Sequence, residues 1–111
     1  MLHAPAHACR LPAHALPARL AEVGSILRRD LVRASLDGAT LELAFHRSAE
    51  RIRDLADLIV EEGGCCSFLD FDLRIPAEGA IELRIRAPPD APEILQAFHR
   101  AATSPEIEPA P

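Results

Sequence analysis

The 111-residue chain contains no lysine, no tryptophan and no tyrosine, and only three cysteines. All twelve basic residues are arginines, and the formal net charge is −5. Because phosphate binding requires a basic surface, this balance argues against a nucleic-acid partner. Small secreted domains stapled by disulfides usually carry more cysteines, in even number, so a reducing cytoplasm fits better.

Long hydrophobic runs are also missing, since no segment approaches the roughly 20 apolar residues that span a bilayer. The first ten residues make a poor signal peptide, because His3, Pro5 and His7 interrupt the apolar positions. The sequence carries no phosphate-binding loop, no Ser-His-Asp constellation and no nucleotide fingerprint. We therefore expect a cytoplasmic protein without a membrane partner, and nothing in the pattern supports a conventional enzyme.

Apolar residues spaced by three or four positions predict three helices. The first begins near Leu16, the second after the N-cap Ser48, and the third after Asp90. Gly63 and Gly64 are expected to end the second helix. The apolar faces are Leu20, Val23, Leu27 and Leu31 in the first helix, Ile52, Leu55, Ala56, Ile59 and Val60 in the second, and Ile94, Leu95 and Phe98 in the third.

Alternating apolar and polar residues predict strands around 41–45, 69–75 and 81–85, with a further strand from the N-terminus over 8–11 as an option. The pattern is typical of an α+β domain, a small antiparallel sheet of three or four strands covered on one face by about three helices. The domain is expected to span 8–101, between a flexible tail over 1–7 and a disordered tail over 102–111. The expected core residues are Leu43, Phe45, Ile59, Phe71, Leu73, Leu83 and Ile85.

The polar sides of the last two strands place Asp70 and Asp72 beside Arg74, Arg84 and Arg86. Paired carboxylates can be catalytic. So many arginines on the same face favour instead a solvated surface with cross-strand salt bridges.

Cys65 and Cys66 are adjacent and stand where the second helix is expected to give way to a strand. Consecutive residues are too close for an unstrained disulfide, but two neighbouring thiolates can bind a soft metal or undergo redox chemistry. If the strand alternation extends back to the pair, Cys65 faces the helices and Cys66 the opposite side. A helix C-terminus raises a thiol pKa, which counts against a nucleophile more than against a metal ligand. The alternative is that both cysteines are small packing residues.

Cys9 is separated from this pair by 55 residues. If the N-terminal segment folds back, three thiolates make a trigonal site suited to Hg(II), As(III) or Cu(I). His3, His7 and His14 lie near Cys9 in the sequence, without the tight spacing of a zinc site. The alternative is a tail that has no metal role.

Residues 61–73 resemble a small bacterial family whose members have a helix ending in Cys-Cys-x-Phe, an aromatic strand, a turn, a second strand and a helix beginning near a proline. Similar segments occur as stand-alone proteins and attached to metal-responsive regulators of the mercury-resistance type. The stretches 8–11 and 16–22 are also similar to that family, which implies that Cys9, Cys65 and Cys66 belong to one metal-associated site. This chain departs from the family pattern at two places. Gly63-Gly64 stands where more helical residues are expected, and Ser67 takes a position that is often occupied by proline in the family.

The sequence therefore favours a soft-metal-binding protein that sequesters, senses or transfers Hg(II), As(III) or Cu(I) through Cys9, Cys65 and Cys66. A metal-handling protein would be its partner. One alternative is a thiol redox protein, in which the pair cycles between dithiol and strained disulfide while Cys9 resolves it. The other is a protein-interaction module, since the edge strands of a small sheet allow a homodimer.

Overall fold

The computed structural model describes residues 16–65 and 68–104, without the side chains of residues 16, 17, 64 and 65. In order, its elements are α1 (Leu16–Arg28), β1 (Leu31–Asp37), β2 (Thr40–Phe45), α2 (Ala49–Cys65), β3 (Asp70–Arg74), β4 (Ile81–Arg86) and α3 (Glu93–Thr103). The strands form one antiparallel sheet in the order β1-β2-β4-β3. The expected α+β fold is therefore confirmed.

The chain forms two hairpins joined by a helical crossover. Gly38, at a φ of 62°, makes the tight turn between β1 and β2, where the left-handed conformation costs glycine little. Both β2 and β3 pair antiparallel with β4, so they run parallel to each other with β4 between them. A parallel pair needs a long connection, and α2 supplies it.

The core lies between one face of the sheet and the helices. Leu43, Phe45, Leu83 and Ile85 are buried there as expected. The other expected core residues, Ile59, Phe71 and Leu73, are only partly buried, since Ile59 lies on the flank of α2 and the other two lie on the edge strand β3. The buried hydrophobic cluster comprises Val23, Leu27, Leu41, Leu43, Phe45, Leu55, Leu58, Leu69, Ile81, Leu83, Ile85, Leu95, Phe98 and Ala102.

The fourth strand, β1, comes from residues that the sequence pattern assigned to the end of the first helix. The helix ends at Arg28, and Asp30 turns the chain with a φ of 61°, a conformation that aspartate tolerates better than most residues. Leu31 therefore belongs to a strand, and its helical spacing from Leu27 was misleading. Residues 8–11, the other candidate for a fourth strand, lie outside the described residues.

Helix α2 begins as expected, because Ser48 Oγ accepts a hydrogen bond of 2.9 Å from the backbone N–H of Arg51. Its expected end at Gly63-Gly64 is wrong, since the helix continues to Cys65. Each glycine costs a helix about 1 kcal/mol relative to alanine. The last turn nevertheless stays helical, and Arg19 contacts it through Glu61 and Glu62. The start of α3 also differs from expectation, because its N-cap is Pro92 rather than Asp90.

The buried side of α2 is rotated away from the expected apolar stripe. Arg51, Leu55, Leu58 and Glu62 are at most 2% exposed, at steps of four, three and four residues, whereas Val60 is 74% exposed. The spacing of apolar residues alone does not identify the buried side of α2, because the charged residues Arg51 and Glu62 lie at its two ends.

Helices α1 and α3 approach each other closely at Gly24. A Cβ atom at Gly24 would lie 2.9 Å from the Cβ of Ala101 and 3.0 Å from its carbonyl oxygen. Arg28 Nη1 donates a hydrogen bond of 2.6 Å to the same carbonyl. Because Gly24 has no side chain, α1 and α3 can pack closely at this position.

We expect Gly24→Ala to lower the free energy of unfolding, although alanine is the better helix former by about 1 kcal/mol. The crowding at Ala101 should cost about 1–3 kcal/mol, so the net change is a loss. Gly63→Ala is the matched control, because its Cβ meets no atom of the described residues within 4 Å, and it should gain about 0.5–1 kcal/mol. Urea denaturation followed by circular dichroism measures both, and a Gly24→Ala variant as stable as the wild type would contradict the close crossing.

Candidate functional site

The last turn of α2 packs beside the first turn of α1 through one arginine. Arg19 Nε donates a hydrogen bond of 2.5 Å to Oε2 of Glu62, and its Nη2 contacts the same carboxylate. Two further hydrogen bonds of 3.0 Å run from Nη2 to Glu61 and from Nη1 to Glu22. The guanidinium therefore joins the beginning of one helix to the end of another.

Glu62 is an uncommon carboxylate, because it is 2% exposed. A buried charge is stable only if it is paired and hydrogen-bonded, and Arg19 provides both. Burial alone would lower the pKa of Arg19, but its hydrogen bonds to Glu62 and Glu22, together with the charge of Glu62, raise that pKa above its usual value. The Arg19 guanidinium therefore stays charged throughout the physiological pH range.

Cys65 is the last residue of α2, one helical turn after Glu62. The expected alternation of Cys65 and Cys66 across a strand is wrong for Cys65, because its backbone is helical and β3 begins at Asp70. Cys66 and Cys9 lie outside the described residues. The expected meeting of the three cysteines stays a prediction.

The position of α1 bears on whether Cys9 can reach this end of α2. Cys9 precedes Leu16 by seven residues, which an extended chain covers in at most about 25 Å. Arg19 contacts Glu62, so α1 starts at the same end of α2 that carries Cys65. Had α1 started at the other end, the 17 residues of α2 would have added about 25 Å to the path. The fold therefore places the start of α1, which follows the segment that carries Cys9, at the Cys65 end of α2.

The charges around Arg19 affect the chemistry of the C-terminal end of α2. Three carboxylates, those of Glu22, Glu61 and Glu62, surround one guanidinium, so these four residues carry a net negative charge. A negative surface attracts cations and disfavours a free thiolate. Within the described parts of the chain, no three His, Cys, Asp or Glu side chains are placed to hold a metal ion.

The open face of the sheet is a second polar region, and it carries alternating charges. The strand register places Arg84 between Glu42 and Asp72, and the Arg84 guanidinium lies 3.0 Å from the Glu42 carboxylate. Arg74 and Glu82 are 4.0 Å apart on neighbouring strands. These charges line a shallow depression of about 400 Å³. The cross-strand ion pairs of this face therefore use Glu42 and Glu82, and a pairing of Asp70 or Asp72 with arginine is not among them in the described residues. Such exposed pairs contribute little to stability.

None of the helices in the described residues is both long and apolar enough to cross a membrane. No protein-family model, no curated protein and no solved structure matches the chain. Function must therefore be argued from the residues of this chain, and the end of α2 offers more chemistry than the salt-bridged sheet face.

Proposed function

We propose that the protein binds a soft metal ion, such as Hg(II), As(III) or Cu(I), through Cys9, Cys65 and Cys66, and that it sequesters, senses or transfers that ion. The observation that carries the proposal is the position of Cys65, which ends α2 beside the start of α1. Cys66 follows it directly, and the segment with Cys9 precedes α1. The resemblance to the Cys-Cys-x-Phe family supports the same set of ligands.

Metal binding suits this location better than nucleophilic or redox chemistry. Low-pKa thiols occur at helix N-termini or beside unpaired cations, whereas Cys65 ends a helix and three carboxylates surround Arg19. A soft cation deprotonates its thiol ligands itself, so it needs no activated thiolate beforehand. A redox cycle of the vicinal pair is the alternative use of the same sulfurs, and thiol titration in defined redox buffers distinguishes it.

A metal-handling protein in the cytoplasm is the proposed partner, because thiols stay reduced there and a bound ion must be passed on. A homodimer would use a free sheet edge. Of the two edges, β1 is interrupted by an irregularity in register between Leu31 and Arg33, which weakens it as a pairing surface. The edge of β3 is therefore the one proposed for a dimer, and light scattering over a range of concentrations tests it.

The proposed thiolate site should select soft ions and release protons when it binds Hg(II). We expect As(III) and Hg(II) to bind more tightly than Zn(II), Mg(II) or Ca(II), because sulfur is a soft ligand. The affinity for Hg(II) should fall as the pH falls, since each thiol must give up its proton to bind the cation. Calorimetric titration of Hg(II) in two buffers with different ionisation enthalpies measures the protons released. Binding of Hg(II) with no proton release, or equally tight binding of Mg(II), would contradict a thiolate site.

A further inference from the structure

The outer edge of β3 pairs with no other strand in the described part of the chain. β3 is the last strand in the sheet order, and its partner is β4 on the inner side. Its apolar residues Phe71 and Leu73 are only partly buried, and Ile75, which follows the strand directly, is 43% exposed. An edge strand that carries partly uncovered apolar side chains is a template for another strand.

The polar side of β3 carries charges that the fold itself hardly uses. Among the described residues, Asp72 makes no ion pair. The side chain of Arg74 is 76% exposed and lies 4.0 Å from Glu82, which is the outer limit of an ion pair. Both charges are therefore available to a strand that adds to this edge.

We propose that two copies of this chain pair through β3, in an antiparallel register centred on Leu73, so that their two four-stranded sheets become one continuous sheet. A two-fold axis perpendicular to the sheet relates the copies, and each contributes the same surface. Asp72 of each copy lies opposite Arg74 of the other. The inference rests on the homodimer proposed above, to which it gives a register, and it uses no residue of the metal site.

The charges of β3 select this register. Residues directly opposite each other in an antiparallel pair point to the same face, and a slip of one residue would set polar against apolar side chains. A register centred on Asp70, Asp72 or Arg74 places that residue opposite its own copy. One centred on Phe71 sets Asp70 against Asp72 twice. Since like charges directly opposite are destabilising, the register centred on Leu73 is favoured, because it pairs opposite charges twice.

The apolar face of the edge fits the same register. The pairing extends β3 by one residue, so that Phe71 of each copy lies opposite Ile75 of the other, and the two Leu73 residues face each other at the axis. These are the apolar side chains that a single copy leaves partly uncovered. Pro76, which has no N–H to donate, lies opposite Asp70 at the end of the pairing, where a proline is tolerated.

The test mixes two variants with opposite charge reversals, Asp72→Arg and Arg74→Asp. Each variant alone sets like charges opposite each other at both positions, so its dimer dissociation constant should rise about tenfold above that of the wild type. In the heterodimer of the two variants every such pair again has opposite charges, and the affinity should return to within about threefold of the wild-type value. Sedimentation equilibrium of the full chain, with a thiol reductant and a chelator present, measures each constant.

Asp37→Arg is the matched control, because it makes the same change of charge on β1, at the opposite edge of the sheet. It should leave the dissociation constant unchanged. A loss of the dimer in this control would overturn the proposal, as would a mixture that associates no more tightly than its components. A wild type that stays monomeric at about 1 mM would also overturn it.

Hydrogen exchange of the wild type provides a measurement without any substitution, which stands even if circular dichroism shows that a variant is unfolded. Backbone N–H groups of β3 should exchange more slowly above the dissociation constant than below it, whereas slowing confined to β1 would overturn the proposal. Titration with As(III) separates this inference from the metal site. A monomeric chain that binds As(III) would reject only the dimer, and a charge-dependent dimer that binds no As(III) would reject only the metal site.

Discussion

Replacing both Cys65 and Cys66 by serine is expected to abolish the binding of Hg(II) and As(III). Serine keeps the size of the side chain but replaces a soft, ionisable sulfur with a hard hydroxyl that does not ionise at neutral pH. Loss of an outer-shell partner costs a metal site about 10–100-fold in affinity, so loss of two ligands should exceed about a hundredfold. Competition with a small-molecule dithiol measures the change.

The single variant Cys9→Ser is the matched control for that double variant. It should weaken the binding of As(III) and lower the number of sulfur ligands from three to two, while two-coordinate Hg(II) is still held by the pair. Because the chain has neither tryptophan nor tyrosine, thiolate-to-metal absorption in the ultraviolet reports the sulfur count directly. If the double variant bound both ions as tightly as the wild type, the cysteines would be packing residues and the proposed function would be wrong.

The largest loss of stability is expected for Phe45→Ala. Phe45 is 0% exposed on β2, an interior strand of the sheet, where its register partners are Leu31 and Ile81. Truncating a buried phenylalanine removes its transfer free energy and leaves a cavity, so the free energy of unfolding should fall by about 3–5 kcal/mol. That is a large part of the 5–15 kcal/mol that stabilises an ordinary domain. Urea denaturation followed by circular dichroism provides the measurement.

Two further variants should lose less stability than Phe45→Ala. Phe71→Ala should cost less than Phe45→Ala, because Phe71 lies on the edge strand β3 and is only partly buried. Val60→Ala, at a position that is 74% exposed, should change the free energy by no more than about 0.5 kcal/mol. An equal loss at Phe45 and Phe71 would contradict the strand order, since it would place both residues in the interior of the sheet.

Most of the fold could be predicted from periodicity, and the failures have physical causes. The hairpin of β3 and β4 shows clear alternation, and Ser48 is a strong N-cap, so both were found. Strand β1 was missed because Leu31 continues a helical spacing, and the positive φ of Asp30 leaves no clear signal in the sequence. Aspartate occurs in turns but also inside helices and strands, so Asp30 alone does not mark where the helix ends.

The candidate site could be predicted only in part. Adjacent cysteines are visible in any sequence, and Cys65 and Cys66 were singled out for that reason. The contact between Arg19 and Glu62 joins residues 43 positions apart, so no local pattern reveals it. One signal existed, because Glu62 continues the three-and-four spacing of Leu55 and Leu58. A glutamate in phase with buried leucines indicates a buried carboxylate, which must have a cationic partner elsewhere.

The most direct test of the proposed site is a high-resolution native mass spectrum of the wild-type chain with one equivalent of As(III). Three thiols that converge on one As(III) lose their protons, which leave as water with the three hydroxides of arsenous acid, so the mass should rise by one arsenic less three hydrogens. This result would mean that Cys9, Cys65 and Cys66 all bind the same ion. An adduct that retains a hydroxide on arsenic and leaves one thiol free, or no adduct at all, would contradict a three-sulfur site.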